Sequence, residues 1–242
     1  MKKITALIIA MGLSTSVLAA EQKLQLDADG IQILKAENGM GDLHIHGEDV
    51  TEIRAKAIYP DSFDASEIVF KLEKQGDVAY LKTDFGQQHR RHGKVEVEVI
   101  VPKSIKLKIA DGSGDLCVRT ISDDVDIEDG SGDTQLYTVT GDVKIVDGSG
   151  DLTVNTVTGN VDLTDSSGDI DVITVTGEVN VTDSSGDINL NTVVGAVTIE
   201  DGSGDINVKT ATSVYVKRDG SGDRYFDGVG KVELGRGVKH RD

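Results

Sequence analysis

The sequence predicts an all-β protein: a single-stranded parallel β-solenoid, in the form of a right-handed β-helix with one coil per sequence repeat, preceded by a β-rich amino-terminal cap. Three observations predict this fold. A turn motif recurs at a constant spacing of eighteen, apolar residues alternate with polar ones between the turns, and a second glycine position recurs at the same spacing. Strands too short to bury an apolar face alone must stack on their neighbours. A right-handed crossover is the expected hand for parallel strands.

The repeated turn reads Asp-Gly-Ser-Gly-Asp or Asp-Ser-Ser-Gly-Asp and occurs seven times in register. We call its first residue the lead aspartate and its last residue the second aspartate. The lead aspartates are Asp111, Asp129, Asp147, Asp165, Asp183, Asp201 and Asp219. The invariant glycine of the turn predicts a positive φ, which a Cβ would strain. These structural-turn glycines are Gly114, Gly132, Gly150, Gly168, Gly186, Gly204 and Gly222.

Between the turns, apolar residues occupy the fixed offsets 5, 7, 10, 14 and 16 from the lead aspartate. In the copy that starts at Asp147 they are Leu152, Val154, Val157, Val161 and Leu163. The first and last pairs alternate with a period of two, which is typical of two short strands per coil. Stacking at about 4.8 Å per coil predicts interior ladders at these positions and a length of roughly 34 Å for seven coils.

The rest of the chain divides around this repeat. Residues 1–20 begin with Lys2 and Lys3, continue as a short apolar run and end in small residues, so we expect a signal peptide and an exported mature protein. Residues 21–110 contain alternating β-type runs and are predicted to cap the solenoid while remaining continuous with it, with a hairpin turn at Gly76. The solenoid spans residues 111–223. Residues 224–242 form a carboxyl-terminal cap and tail, where Arg224 interrupts the apolar pattern.

Composition excludes several kinds of partner. The net charge is −17, and residues 111–223 alone hold 23 acidic and five basic residues. Such a surface repels nucleic acid and anionic lipid. The nine aromatic residues argue against a nucleotide-stacking platform, and one cysteine excludes an intramolecular disulfide framework. The apolar run of the signal peptide is too short to span a bilayer. The mature chain is likewise predicted to contain no transmembrane segment.

The combination of Gly-Ser-Gly-Asp with Thr-Val-Thr-Gly and a following alternating run resembles bacterial β-strand-repeat proteins of unknown function that are regarded as candidate adhesins, including the toast-rack-like families. The run from Ile33 through Glu37-Asn38-Gly39 to Asp42-Leu43 also resembles the usual start of these proteins. The resemblance covers roughly residues 24–235. It implies an exported or envelope β-solenoid with an adhesion or envelope-stress role, and it implies no catalytic residues.

Stacking is expected to place the lead aspartates in one column and the second aspartates in another. Neighbouring carboxylates about 5 Å apart repel by roughly 1 kcal/mol in water and by about 3–4 kcal/mol at an effective dielectric of 20. Two interpretations offset this repulsion. Each carboxylate accepts N–H bonds within its turn while solvent screens the remainder, or hard cations such as Ca²⁺ bridge the lead aspartates. The calcium-binding β-roll supplies no precedent, because Leu152 stands where its ligand aspartate belongs.

Other candidate sites are weak. His44 and His46 lie on one strand face without a third metal ligand, and residues 89–92 (His-Arg-Arg-His) form a basic group. Cys117 is expected to face outward as an idle thiol, although an intermolecular disulfide is an alternative. Paired threonines such as Thr138 and Thr140 would stack into short columns, an arrangement that can bind ice.

The sequence therefore favours a non-enzymatic, exported scaffold for interaction or adhesion at the cell envelope or surface. Its partner would be an unidentified envelope or extracellular component that contacts outward columns of Asp, Asn and Thr. No cofactor is predicted beyond weakly bound Ca²⁺, which defines the first alternative, a calcium-stabilised binding solenoid. The second alternative is a polysaccharide-acting enzyme, which is disfavoured because every coil repeats the same carboxylate pair and residues 93–239 contain no histidine.

Overall fold

The computed structural model describes residues 19–39, 41–60, 68–85, 95–236 and 238. In these ranges all regular secondary structure is β, in 21 strands. Parallel strands stack coil upon coil at the spacing of the sequence repeat, which confirms the predicted all-β solenoid. No helix in the described ranges has the length and apolar character that a membrane crossing requires.

Seven strands precede the regular repeat. They are β1 (Ala19–Asp27), β2 (Ile33–Asn38), β3 (Asp42–Glu48), β4 (Glu52–Pro60), β5 (Ile68–Gln75), β6 (Val78–Phe85) and β7 (Glu96–Pro102). The hairpin predicted at Gly76 is confirmed, since Gln75 pairs with Val78 across a two-residue turn and Gly76 has a φ of 67°. The predicted signal peptide lies outside the described residues except for Ala19 and Ala20, which belong to β1.

Fourteen strands form the repeat and its end. They are β8 (Lys106–Asp111), β9 (Leu116–Ile121), β10 (Val125–Asp129), β11 (Thr134–Val139), β12 (Val143–Asp147), β13 (Leu152–Val157), β14 (Val161–Asp165), β15 (Ile170–Val175), β16 (Val179–Asp183), β17 (Ile188–Asp201), β18 (Ile206–Val208), β19 (Ala211–Asp219), β20 (Arg224–Phe226) and β21 (Val232–Leu234). Most are five or six residues long because a turn ends each strand.

The strands make two long faces. The first face runs in the order β1, β4, β7, β3, β9, β11, β13, β15, β17, β18, β20, and the second in the order β5, β6, β2, β8, β10, β12, β14, β16, β17, β19, β21. The long strand β17 belongs to both faces. Pairing is antiparallel only at β1–β4, β4–β7 and β5–β6, so antiparallel strands occupy the amino-terminal end and parallel strands the rest.

One coil of the solenoid is hidden in the amino-terminal region. Strand β2 pairs in parallel with β8, which places Asn38 beside Asp111, and β3 pairs with β9, which places Leu43 beside Leu116. The segment Asn38-Gly39 to Gly41-Asp42 therefore stacks on the first Asp-Gly-Ser-Gly-Asp turn and repeats its pattern with Asn in the lead position. Strands β4–β7 intervene in the chain and take their places beyond this coil in both faces.

The core lies between the two faces. The apolar positions predicted to form interior ladders are buried, and Leu152, Val154 and Val161 have no exposed surface. Each pairs in register with its equivalent in the next coil, for example Leu152 with Ile170. Complete burial of such a side chain contributes about 1.5–3 kcal/mol, so the ladders account for the stacking. At the carboxyl-terminal end Phe226 and Leu234 are only half-buried, because no described coil follows them.

Candidate functional site

The repeated turn is the feature that places chemistry on this scaffold. Gly150 has a φ of 130°, and a Cβ on it would lie 1.9 Å from the carbonyl oxygen of Gly132 in the preceding coil. Only glycine fits such an approach. The other structural-turn glycines share the geometry: φ is 119° at Gly114, 125° at Gly132, 136° at Gly168, 146° at Gly186, 144° at Gly204 and 141° at Gly222.

The turn sends its two aspartates to opposite environments. Asp147 continues the inward alternation of Val143 and Ile145 in β12 and is 2% exposed, whereas Asp151 is exposed to solvent. The expectation that solvent screens the lead aspartates is therefore wrong, since they point into the protein. The lead aspartates from Asp111 to Asp201 are all buried, and the side chain of Asp219 is 1% exposed. We call these seven residues the interior column.

In Asp147, Asp165, Asp183 and Asp201, one carboxylate oxygen is hydrogen-bonded and the other is not, within the part of the chain that the structure describes. Oδ1 of Asp147 accepts a hydrogen bond from the backbone N–H of Ser149 at 3.1 Å, and the same bond forms in four other coils. This agrees with the interpretation that the turn supplies N–H donors. Among the described residues, however, nothing donates to Oδ2 of Asp111, Asp147, Asp165, Asp183 or Asp201, or to Oδ1 of Asp219.

Polar side chains contact the interior column at three places. Asn38 donates from Nδ2 to Oδ1 of Asp111 at 3.0 Å, and Thr134 donates from Oγ1 to Oδ2 of Asp129 at 2.9 Å. Arg224 forms an ion pair with Asp219. Thr134 and Arg224 both stand five residues after a lead aspartate, where the other coils have Leu or Ile. The sequence shows the break at Arg224 but not its ion pair with Asp219. Thr134 is a polar residue at the same offset, and the recurrence of this exception was the signal for a contact with the lead aspartates.

Burial makes the interior carboxyl groups weak acids. Desolvation, followed by the charge of Asp129, raises the pKa of Asp111 to about 7. Desolvation is also the main cause at Asp147 and Asp183, where the pKa rises to about 6, and at Asp201, where it rises to about 7. The pKa of Asp129 and that of Asp165 are raised for the same reason. Since the unperturbed value is about 3.9, these groups hold protons far more readily than aspartates in water.

The second aspartates form a contrasting exposed column. Each backbone N–H in this column donates to Oδ1 of the aspartate one coil earlier, as Asp151 does to Asp133 at 3.0 Å and Asp187 does to Asp169 at 2.8 Å. The column begins at Asp42, because the N–H of Asp115 donates to Oδ1 of Asp42 at 3.2 Å. We call these eight residues the exposed rail: Asp42, Asp115, Asp133, Asp151, Asp169, Asp187, Asp205 and Asp223.

A third column of the same kind runs along another corner of the coils. The N–H of Asp142 donates to Asp124, that of Asn160 to Asp142 at 2.8 Å, and that of Glu178 to Oδ1 of Asn160 at 3.0 Å. Asn160 shows that an amide oxygen can replace a carboxylate in such a ladder without loss of the hydrogen bond. The negative charge is thus separable from the structural role.

The structure brings the predicted cation ligands together in one column but does not arrange them as a metal centre. Within the described ranges, no group of three or more His, Cys, Asp or Glu side chains is placed to hold a metal ion. Calcium requires six to eight oxygen ligands. Weak binding of Ca²⁺ to either aspartate column stays a prediction.

The histidine and cysteine candidates lie on the outer surface of the first face. Nε2 of His44 is 3.7 Å from Oε1 of Glu96, and His44 is the register neighbour of Cys117. Cys117 points away from the core as expected, yet it is only 8% exposed. Arg119 covers it and donates from Nε to Sγ at 3.1 Å. Burial disfavours the alternative of an intermolecular disulfide. The basic group at residues 89–92 lies outside the described residues.

Comparisons with known proteins agree with this geometry. The sequence profile described as Toastrack DUF4097 matches residues 70–221. A "putative adhesin" from Bacteroides fragilis has the same fold, with a TM-score of 0.57, 14% identity, and coverage of 92% of this chain and 100% of its own. Two further solved structures have lower TM-scores. No curated protein matches the chain.

The first of these two is a "putative cell adhesion protein" from Clostridium sporogenes, with a TM-score of 0.42, 15% identity, and coverage of 89% of this chain and 100% of its own. The second is a "putative lipid binding protein" from Parabacteroides distasonis, with a TM-score of 0.49, 14% identity, and coverage of 91% of this chain and 97% of its own. At 14% identity the Bacteroides fragilis structure shows a likeness of fold alone.

Proposed function

The chain belongs to the Toastrack DUF4097 family, and from this premise we propose that it is a non-enzymatic scaffold, exported to the cell envelope or surface, that holds a cationic partner along the exposed rail. The single observation that carries the proposal is the rail itself. Eight carboxylates stand in register along the stack, and each of the first seven is fixed by a hydrogen bond from the next coil in the series.

The rail is suited to binding because its side chains are ordered before a partner arrives. At about 4.8 Å per coil, eight members extend over roughly 34 Å. In all of them but the last, one carboxylate oxygen accepts the backbone N–H of the next coil, so the side chain loses little further freedom on binding, which lowers the entropic cost. A line of like charges also attracts cationic groups from a distance and fixes their register. The partner is therefore expected to present several positive charges at its surface.

The regularity of the coils supports a binding role rather than catalysis. An enzyme site requires one place where a nucleophile, a base and a stabilising group converge. Here each coil of the repeat presents the same two aspartates, one inside and one outside, and the turn hydrogen bonds of Asp147, Asp165 and Asp183 are the same. Such repetition favours a surface that contacts an extended or repeating partner.

Retention on cell material tests the proposal. Purified residues 21–242 are incubated with bacterial cells, extracellular matrix and isolated envelope fractions, and bound protein is measured over a range of salt concentrations. We expect retention that weakens as salt rises, because exposed charges are screened over about 8–10 Å at physiological ionic strength. No retention on any fraction would overturn the proposed function.

A pair of matched variants locates the contact surface. The rail variant carries Asp133→Asn, Asp151→Asn, Asp169→Asn and Asp187→Asn, which remove four charges while keeping an amide oxygen for each ladder bond, as Asn160 does. The control removes four charges elsewhere through Asp126→Asn, Asp142→Asn, Asp162→Asn and Glu178→Gln. We expect loss of retention in the first variant and little change in the second. Equal retention of both variants would show that the rail is not the contact surface.

A further inference from the structure

The interior column is longer than the sequence repeat suggests and has neutral groups at its amino-terminal end. Thr83 is the register neighbour of Asn38, and Asn38 is the register neighbour of Asp111, so nine polar residues stack in one buried line from Thr83 to Asp219. Thr83 donates from Oγ1 to Oδ1 of Asn38. Asn38 in turn donates to Asp111. At the other end Arg224 supplies a positive charge.

Between these ends the column contains carboxyl oxygens that the described residues leave without donors. Oδ2 of Asp129 points toward the residue five positions later, which is Thr134. Thr134 is in register with Leu152, and Asp129 with Asp147. At Asp147 the equivalent neighbour of Oδ2 is therefore an aliphatic side chain. The same substitution by Ile occurs at 170, 188 and 206. A buried carboxylate oxygen against aliphatic carbon is strongly destabilising unless something neutralises it.

Three kinds of occupant could satisfy such an oxygen, and they differ in how many partners they need. A buried water needs two to four polar partners, and a divalent cation needs six to eight oxygens. Leu and Ile supply none of these, and no described group of His, Cys, Asp or Glu side chains is arranged to hold a metal. A proton needs only one oxygen. It also converts the unsatisfied acceptor into a donor.

We propose that the interior column is a proton-binding site, in which Asp147, Asp183 and Asp201 are in part neutral carboxylic acids near neutral pH and loosen the solenoid when they ionise. Asn38 is the model for the protonated form within the same molecule. Its amide occupies the lead position as a neutral group, donates to the carbonyl oxygen of Gly41 at 2.7 Å and reaches Asp111 in the next coil. This inference is independent of the exposed rail and of any partner.

The charged groups that face the column support the same conclusion. Each lead aspartate faces the lead aspartates of neighbouring coils, and Asp115, Asp151 and Asp169 of the exposed rail add negative charge to Asp129, Asp165 and Asp183. The opposing groups are the turn N–H donors, Asn38, Thr134 and Arg224. Negative neighbours and burial both favour the protonated form. Among the described side chains, those that offset them lie at the two ends of the column and at Asp129.

The direction of the pH effect follows from these raised pKa values. The unfolded aspartates release protons near pH 3.9, whereas burial moves the pKa of Asp147 and Asp183 to about 6 and that of Asp201 to about 7. Between these limits the folded state binds more protons than the unfolded state. Stability is therefore fully present below about pH 4, falls as the pH rises toward about 7, and changes little above that.

Thermal unfolding across this pH range is the first test. We expect the melting temperature to fall by roughly 5–10 °C between about pH 5 and about pH 8. Relief of surface repulsion acts in the same direction, so matched variants separate the two effects. The interior variant carries Asp165→Asn, Asp183→Asn and Asp201→Asn, and its control carries Asp169→Asn, Asp187→Asn and Asp205→Asn on the exposed rail. The interior variant is expected to lose most of the pH dependence, and the control to keep it.

Infrared spectroscopy tests the unmodified protein directly. We expect the carbonyl band of protonated carboxylic acid to persist at about pH 5–6, above the range in which aspartates in water are protonated, with about the intensity of a few groups per chain, and to disappear as the pH is raised further. Absence of that band, or an interior variant whose pH dependence equals that of its control, would overturn the proposal. If the interior variant fails to fold, the spectrum of the wild-type protein still decides.

Discussion

Asp147 and Asp151 are four residues apart in one turn, yet one side chain is buried in the core and the other lies in solvent. Both accept backbone N–H bonds, but from different places. Asp147 accepts the bond within its own turn, whereas Asp151 accepts the bond from the next coil, where the N–H of Asp169 donates at 3.1 Å. The interior bond therefore shapes the turn, and the exterior bond joins one coil to the next.

The comparison shows that burial, and not residue type, decides what an aspartate does here. The exposed rail keeps its charge available to a partner. The interior column is a cost to stability that the fold offsets with turn donors, with Asn38 and Arg224 at its ends, and in our proposal with protons. In each turn, the aspartate before the structural-turn glycine is buried and the aspartate after it is exposed.

The largest effect is expected when the turn that separates the two columns is broken. Gly150→Ala places a Cβ 1.9 Å from the carbonyl oxygen of Gly132 at a φ of 130°, and we expect a loss of about 3 kcal/mol or more in the free energy of unfolding. Urea denaturation measures it. The control Gly148→Ser copies Ser166 and Ser184 in other coils and places a Cβ 2.5 Å from the carbonyl oxygen of Gly130 at a position without a positive φ, so it should cost much less. Equal losses would mean that the turn does not depend on the positive φ.

A smaller but specific effect is expected at the carboxyl-terminal end of the interior column. Arg224→Met removes the partner of Asp219, whose side chain is 1% exposed, and leaves an uncompensated buried charge that costs about 3–5 kcal/mol. Urea denaturation measures this loss. Lys217→Met, which removes an exposed ion pair with Glu200, is the control and should change stability little.

The smallest effect is expected from calcium, which separates the cation interpretation from the proton interpretation. We expect the same melting temperature with millimolar Ca²⁺ and with a chelator, because the described residues contain no group arranged to hold a metal ion. Calorimetry measures it. A melting temperature that rises with Ca²⁺ in the wild-type protein, and no longer rises in the Asp165→Asn, Asp183→Asn, Asp201→Asn variant, would assign a cation to the interior column instead.

Much of the fold follows from local pattern. The constant spacing of the turn motif and the period-two pairs, such as Leu152 with Val154, predict coils, strands and interior ladders. Both patterns depend only on residues that are close in the chain and on the similarity of successive copies. The coil formed by β2 and β3 could not be found in this way, because Asn38 lies far before Asp111 in the chain and its turn differs at the lead position. Thr134 and Arg224 depart from the apolar pattern of the repeat, but that pattern does not show that they contact Asp129 and Asp219.

The sequence by itself determined the solenoid, the number of coils in the repeat and the glycine that each turn requires, since these depend on periodicity and on backbone sterics. Only the tertiary structure decided which aspartate faces the core. In β12 and its equivalents, alternate residues point inward, and the lead aspartate is the last of them. Its side chain becomes buried only when the neighbouring coils stack on it. The net charge of −17 is therefore divided between an accessible surface and a desolvated interior, and desolvation depends on the packed neighbours of a group rather than on its position in the chain.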